Sequence, residues 1–194
     1  MKLNRICFAL ALASFAEAGP IGPGTLYLTG NYRDGHPGDM AATAAGIFGS
    51  INGEAACTDI ALVTNPPTLL TGVFDSITSF NDAVKARLFT EMLSQTGGTV
   101  LYQLALWSID APTLTPHNPI SAALKSNAIL YVTALSGNYS EFSDVSYFHP
   151  DQKWNQSFLF AGTSTTQDND APEPATMAVA GVGLILVALR KRRR

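Results

Sequence analysis

The chain has 194 residues, with 12 lysine and arginine residues against 15 acidic ones and a formal charge of −3 at pH 7. Most of the cations stand at the two ends, so the stretch 19–171 holds five cations against thirteen acidic residues, a formal charge of −8. This balance argues against nucleic acid as a partner, because phosphate backbones are bound through lysine and arginine.

The first 18 residues have the pattern of a cleavable signal for export. Lys2 and Arg5 form a charged start, residues 6–15 are apolar, and Ala16 and Ala18 frame a small-x-small cleavage site. We therefore expect a mature chain that begins at Gly19, with a retained N-terminal anchor as the alternative. Cleavage leaves one cysteine, which excludes a disulfide within the mature chain.

Four short strands are predicted in the first part of the body. Residues 25–29 alternate weakly, and residues 69–74 form a short apolar run. Between them, residues 44–51 and 55–63 flank Asn52-Gly53. Asn-Gly between two apolar runs is typical of a tight turn, so we expect a hairpin at this point.

Three helices are predicted next. The first covers residues 81–95 with Ser79 as its cap, and the second covers 99–108, where a strand is the competing interpretation. The third begins at Asn118, carries proline at its first position and ends before Gly137. Its predicted apolar face consists of Ile120, Ala123, Leu124, Ala128, Tyr131, Val132 and Leu135.

A second hairpin over residues 144–148 and 153–160 is predicted to complete the body, and 162–171 form a polar linker. Together these elements predict one α+β domain over residues 19–161. We expect a β-sandwich or barrel-like sheet, with a helical segment inserted at about 80–136.

The last 23 residues have three parts. Pro172, Glu173 and Pro174 form a turn motif, and residues 175–189 are apolar and uncharged. The chain then ends in five cations: Arg190, Lys191, Arg192, Arg193 and Arg194. This order predicts a short transmembrane helix with a cytoplasmic basic stop, and a plain C-terminal anchor is the alternative.

These three parts resemble the PEP-CTERM sorting signal of Gram-negative bacteria. The resemblance implies an exported precursor that is anchored in the inner membrane and cleaved near the motif by exosortase. The secretion machinery and exosortase are then its partners, and the membrane anchors the precursor until cleavage. The product is delivered to the cell surface or to the exopolysaccharide matrix of a biofilm.

A second resemblance concerns the body. Residues 102–107 (Tyr-Gln-Leu-Ala-Leu-Trp) are similar to the Thr-Gln-x-Ala-(Ile/Val)-Trp motif of bacterial thioester domains, and Cys57 lies upstream at a predicted strand end. The resemblance implies a bond between Cys57 and Gln103, with Trp107 packed over it. Such a bond reacts with amines or hydroxyls on a partner surface. The family pattern has threonine where Tyr102 stands and an aromatic residue or leucine where Ala56 stands.

The leading hypothesis for function is a structural or adhesive component of the envelope or matrix. Covalent attachment through Cys57 and Gln103 is one alternative, and without the bond both are core residues. The other alternative is a module that binds exopolysaccharide through exposed aromatic side chains, among Tyr27, Tyr32, Tyr139, Tyr147 and Trp154. We expect no enzyme, cofactor or metal site, because no catalytic array stands out and His36, His117 and His149 lack ligand spacing.

Overall fold

The computed structural model describes residues 19–33, 35, 38–60, 62, 64–112 and 118–162. Its strands are β1 (Gly22–Tyr32), β2 (Asp39–Gly46), β3 (Gly49–Cys57), β4 (Thr68–Ser76), β5 (Val145–Pro150) and β6 (Phe158–Gly162). Its helices are α1 (Phe80–Leu93), α2 (Thr99–Asp110) and α3 (Pro119–Ala134), followed by a 3-10 helix at Ser140–Phe142.

The six strands close into an antiparallel barrel in the order β1-β2-β3-β6-β5-β4. The three helices lie between β4 and β5 in the chain. The predicted α+β fold with a barrel-like sheet and an inserted helical segment is therefore confirmed. Strand β6 extends to Gly162, one residue into the stretch that the sequence assigns to the linker.

The helix caps follow the sequence signals. The side chain of Ser79 accepts a hydrogen bond from the backbone N–H of Asp82, and that of Asn118 accepts one from the N–H of Ile120. The run in 99–108 is helical, so the competing strand interpretation is wrong. Within the described residues, no helix combines the length and apolar character needed to cross a bilayer.

The protein has two hydrophobic cores, one inside the barrel and one against the outer face of part of its wall. The barrel interior is filled by aromatic and aliphatic side chains that include Phe74, Phe148, Phe158 and Phe160. The second core lies between the outer face of the barrel and the helices, and Ala56 and Leu159 contribute to it. Since successive side chains of a strand point to opposite faces, β3, β5 and β6 each supply both cores.

Arg33 links the end of β1 to the end of α1. Its Nη1 donates to the carbonyl oxygen of Leu93 at 2.7 Å, and its Nη2 lies 2.6 Å from a carboxylate oxygen of the fully buried Asp39. A cation at this place complements the negative end of the helix dipole. The contact therefore holds the first helix of the insertion against the barrel.

The predicted turn at Asn52-Gly53 is wrong. Both residues lie inside β3, and the hairpin turn falls at residues 47–48, where Gly46 pairs with Gly49. Gly49 has a φ of +91°, which suits glycine and a tight turn. Gly53 serves packing instead, because a Cβ there would lie 2.8 Å from Cζ of Phe160 and overlap the carbonyl oxygen of Ala161.

Two other predicted boundaries also change. Strand β3 ends at Cys57, and β6 begins only at Phe158, because the described residues between β5 and β6 form turns. On α3, Ile120, Ala123 and Tyr131 are exposed, so the predicted face is partly wrong. The buried stripe is Ser121, Ala128 and Val132. Tyr131 covers a cation instead, with its ring centroid 3.9 Å from the Arg87 guanidinium carbon.

Replacing Gly53 by alanine is expected to destabilise the barrel by about 1–3 kcal/mol, because the new methyl group overlaps backbone atoms of β6. Gly97→Ala is the matched control, since its Cβ meets no heavy atom within 4 Å. Urea unfolding of both variants measures the effect. Equal midpoints for the two variants would contradict the packing role of Gly53.

Candidate functional site

Cys57 is the last residue of β3, and its side chain enters the core inside the barrel. Only 9% of it is exposed. Burial raises the pKa of the Cys57 thiol to about 11, while the Trp107 indole and a backbone N–H act in the opposite direction. The thiol therefore stays protonated at neutral pH and is not a ready nucleophile by itself.

Gln103 of α2 is fully buried and contacts the end of β3. Its Nε2 donates a hydrogen bond to the backbone carbonyl oxygen of Cys57 at 2.7 Å. Its Oε1 has no hydrogen-bond partner within the described part of the chain. A buried acceptor left without a partner costs about 1–3 kcal/mol.

Trp107 lies one helical turn after Gln103 on α2. Its side chain packs against both hydrophobic cores, and its indole nitrogen is buried without a hydrogen bond of ordinary geometry. The indole nevertheless lies close enough to Cys57 to lower the pKa of the thiol. The structure thus brings the three residues of the second sequence resemblance close together.

A buried polar network begins at the residue after Cys57. Thr58 Oγ1 donates to the carbonyl oxygen of Ser157 at 3.0 Å and accepts from the Tyr147 hydroxyl at 2.7 Å. The same hydroxyl lies 3.3 Å from Lys85 Nζ, which pairs with an Asp110 carboxylate oxygen at 2.5 Å. The network fixes the chain just beyond Cys57 and joins it to α1 and α2.

Sequence reasoning missed this network. Lys85 is only 3% exposed although it carries a charge. Burial lowers its pKa, but Asp110 and Tyr147 together raise it more, so the net shift is upward and the ammonium is retained. In the sequence, the one indication of this network is a lysine next to Val84, within the apolar face of the first predicted helix.

The aromatic residues predicted for sugar binding do not form one exposed face. Tyr147 is only 7% exposed, so its predicted role is wrong. Tyr27 on β1 and Trp154 between β5 and β6 are exposed, whereas Tyr32 and Tyr139 are half-buried. The pKa of Tyr32 is raised. Burial is the larger cause, and nearby Cys57 is the smaller one.

Several predicted residues lie outside the described part of the chain. These are the signal-cleavage residues Ala16 and Ala18, the sorting residues Pro172, Glu173 and Pro174, the basic residues 190–194, and the histidines His36 and His117. His149 is described and stacks on the Tyr147 ring, with centroids 4.5 Å apart. Among the described residues, no three side chains of the metal-binding types come together.

The burial of Cys57 predicts a pH dependence of stability. Gln103→Leu removes the acyl donor and puts an apolar side chain of similar size in its place, so the thiol can be studied alone. Because its pKa is raised from 9.0 to about 11 in the folded chain, its contribution is fully present below pH 9 and lost as pH rises through 11. We expect Gln103→Leu to lose on the order of 2 kcal/mol more than Cys57→Ala/Gln103→Leu between pH 8 and 11. Parallel stability curves for the two variants would contradict the assigned burial.

Comparison with known proteins identifies the tail. Residues 170–194 match the sequence model of the PEP-CTERM protein-sorting motif. None of the curated proteins and none of the solved structures matches the chain. The chain therefore carries a PEP-CTERM protein-sorting motif, which implies an exported protein that is processed by exosortase and sorted to the cell surface.

Proposed function

We propose that the protein is a structural or adhesive component of the cell surface or of the exopolysaccharide matrix. The observation that carries this proposal is the match of residues 170–194 to the sorting motif. The body ahead of that motif has a closed barrel and two hydrophobic cores, which suits a domain that must persist outside the cell. Its strongly acidic composition favours solubility there.

The tail has the physical properties that temporary anchoring needs. Residues 175–189 carry no charge, and the five cations after them resist transfer across a bilayer. The apolar run is shorter than the ~20 residues of an ordinary span, but long arginine side chains can reach the interface. Cleavage on the outer side of the run then releases the body from the membrane.

Replacing Pro172, Glu173 and Pro174 by alanines is expected to retain the chain in the membrane fraction, because the apolar run is no longer removed. Immunoblots of membrane and medium fractions from the native host measure the distribution. Alanines at residues 165–167 form the control, since they change the linker and leave the matched motif intact. Normal release of the motif variant at the mature size would refute the sorting role.

Covalent attachment through Cys57 and Gln103 is the second candidate. The observation that favours it is the buried amide of Gln103 against Cys57, with Oε1 unpaired within the described part of the chain. In the reaction, the Cys57 sulfur attacks Cδ of Gln103, and the thiol proton passes to the amide nitrogen. The C–N bond breaks and ammonia leaves, so that a thioester remains.

The thioester would then transfer the protein to a partner. A primary amine attacks Cδ, a C–N bond forms, the C–S bond breaks and the Cys57 thiol returns. Burial has two opposite effects on this chemistry. It raises the pKa of the thiol, which slows formation of the bond, and it keeps water away from the product. Trp107 contributes to the second effect, because it packs against the core that contains Cys57.

A fluorescent primary amine is expected to label the wild-type protein with about one equivalent, because one acyl group is available. Cys57→Ala and Gln103→Ala should both abolish labelling, each for lack of one reactant. Gln152→Ala is the control, since this glutamine lies on the exposed surface. In-gel fluorescence followed by peptide mapping gives the measurement. Equal labelling of wild type and Cys57→Ala would eliminate the thioester.

A further inference from the structure

A cleft of about 310 Å³ lies between the start of the body, the end of β4 and the connection from α3 to β5. It shares no lining residue with the pair formed by Cys57 and Gln103. Its size is at the lower end of the range for small-molecule sites, about 300–1,000 Å³, and therefore suits a single small unit.

The cleft has an apolar floor. Ile77, Phe142 and Val145 line it and are 7%, 3% and 2% exposed, respectively. Ile21 adds an apolar wall on the side of the N-terminal segment and is 47% exposed. The floor belongs to the core between the barrel and the helices, so it is held by packing on its other side.

Most of the other described lining residues supply hydroxyl groups, and their side chains are uncharged. The hydroxyl-bearing residues are Ser76, Thr78, Tyr139, Ser140 and Ser143. None of these five hydroxyls makes a hydrogen bond to another described residue. Each can both donate and accept, so the cleft offers a set of neutral partners that a ligand can use.

The wall at Ile21 is held in place by the two residues before it. The backbone N–H of Gly19 donates to the carbonyl oxygen of Ser143 at 2.6 Å, and the fully buried Ser146 hydroxyl donates to that of Pro20 at 2.7 Å. A Cβ at Gly19 would lie 3.1 Å from the Asp144 carbonyl oxygen. The segment thus docks closely, and the cleft is largely formed before a ligand arrives.

We propose that this cleft binds one neutral sugar residue of a glycan. A pyranose ring combines apolar C–H faces with a rim of hydroxyls, which matches an apolar floor surrounded by unpaired hydroxyls and a tyrosine ring. The described lining residues carry no charged side chain, which suits a neutral unit that is held through its hydroxyls. The inference rests on the proposed delivery to a glycan-rich surface, and it is independent of the thioester.

The test is an NMR titration of the ¹⁵N-labelled mature protein with three neutral probes, the methyl glycosides of glucose, galactose and N-acetylglucosamine. We expect at least one to shift the backbone signals of Gly137, Ser140 and Ser143 saturably, with a Kd on the order of 1–10 mM.

Variants separate this cleft from other aromatic surfaces. Tyr139→Ala should weaken binding at least about tenfold, and Tyr139→Phe should weaken it less, because the ring remains while the hydroxyl is lost. Tyr27→Ala is the control, since that exposed side chain is not part of the lining. The same spectra report whether each variant is folded.

Two results would overturn the proposal. One is the lack of saturable shifts with any neutral probe up to about 50 mM. The other is shifts that centre on Trp154 instead of the cleft. A failed titration together with normal release of the protein would leave the sorting role intact, so the two failures are distinguishable.

Discussion

Burial on both faces of β3, β5 and β6 is the constraint on which the rest of this structure depends. Their inward side chains must fit around Phe160 and its neighbours, while their outward side chains must receive three helices. In β3, small residues fit on both faces. Ala55 faces the barrel interior, and Ala56 faces the helices. Gly53 stands where even a methyl group would overlap β6.

The candidate site lies at the end of β3, a strand that is buried on both faces. The side chain of Cys57 is still inside the barrel, while its carbonyl oxygen meets α2, where Gln103 supplies the donor. One residue later, Thr58 enters the network that contains Tyr147 and Lys85. The strand end is therefore fixed from both sides, and its contact with Gln103 is made through the backbone carbonyl oxygen of Cys57.

Local signals in the sequence predicted the elements well. Ser79 and Asn118 cap their helices as expected, because a cap depends on residues within one turn. The pairing of Cys57 with Gln103 came from a resemblance to thioester domains, and the structure brings the two into contact without testing the bond. Contacts between distant residues were not predictable, as the link from Lys85 to Tyr147 illustrates.

The wrong predictions share one physical cause, which is a contact with a residue that is distant in the sequence. Asn52-Gly53 has the composition of a turn, but the space beside Phe160 decides that this glycine lies within a strand. Tyr131 has the spacing of a core residue, but it covers the Arg87 guanidinium at the surface of α3. In each case a partner far away in the sequence overrides a correct local preference.

The account joins a closed-barrel body to a tail that sorts it to the cell surface. The measurement that tests this most directly is the intact mass of the mature protein recovered from its native host, with both termini identified by peptide mapping. The account predicts a C-terminus near residues 172–174, because exosortase removes the apolar run and the cations after it. A mature chain that still carries residues 175–194 would contradict it. In the same spectrum, a mass lower by one ammonia would support the thioester, and the mass of the plain polypeptide would make Cys57 and Gln103 packing residues of the barrel.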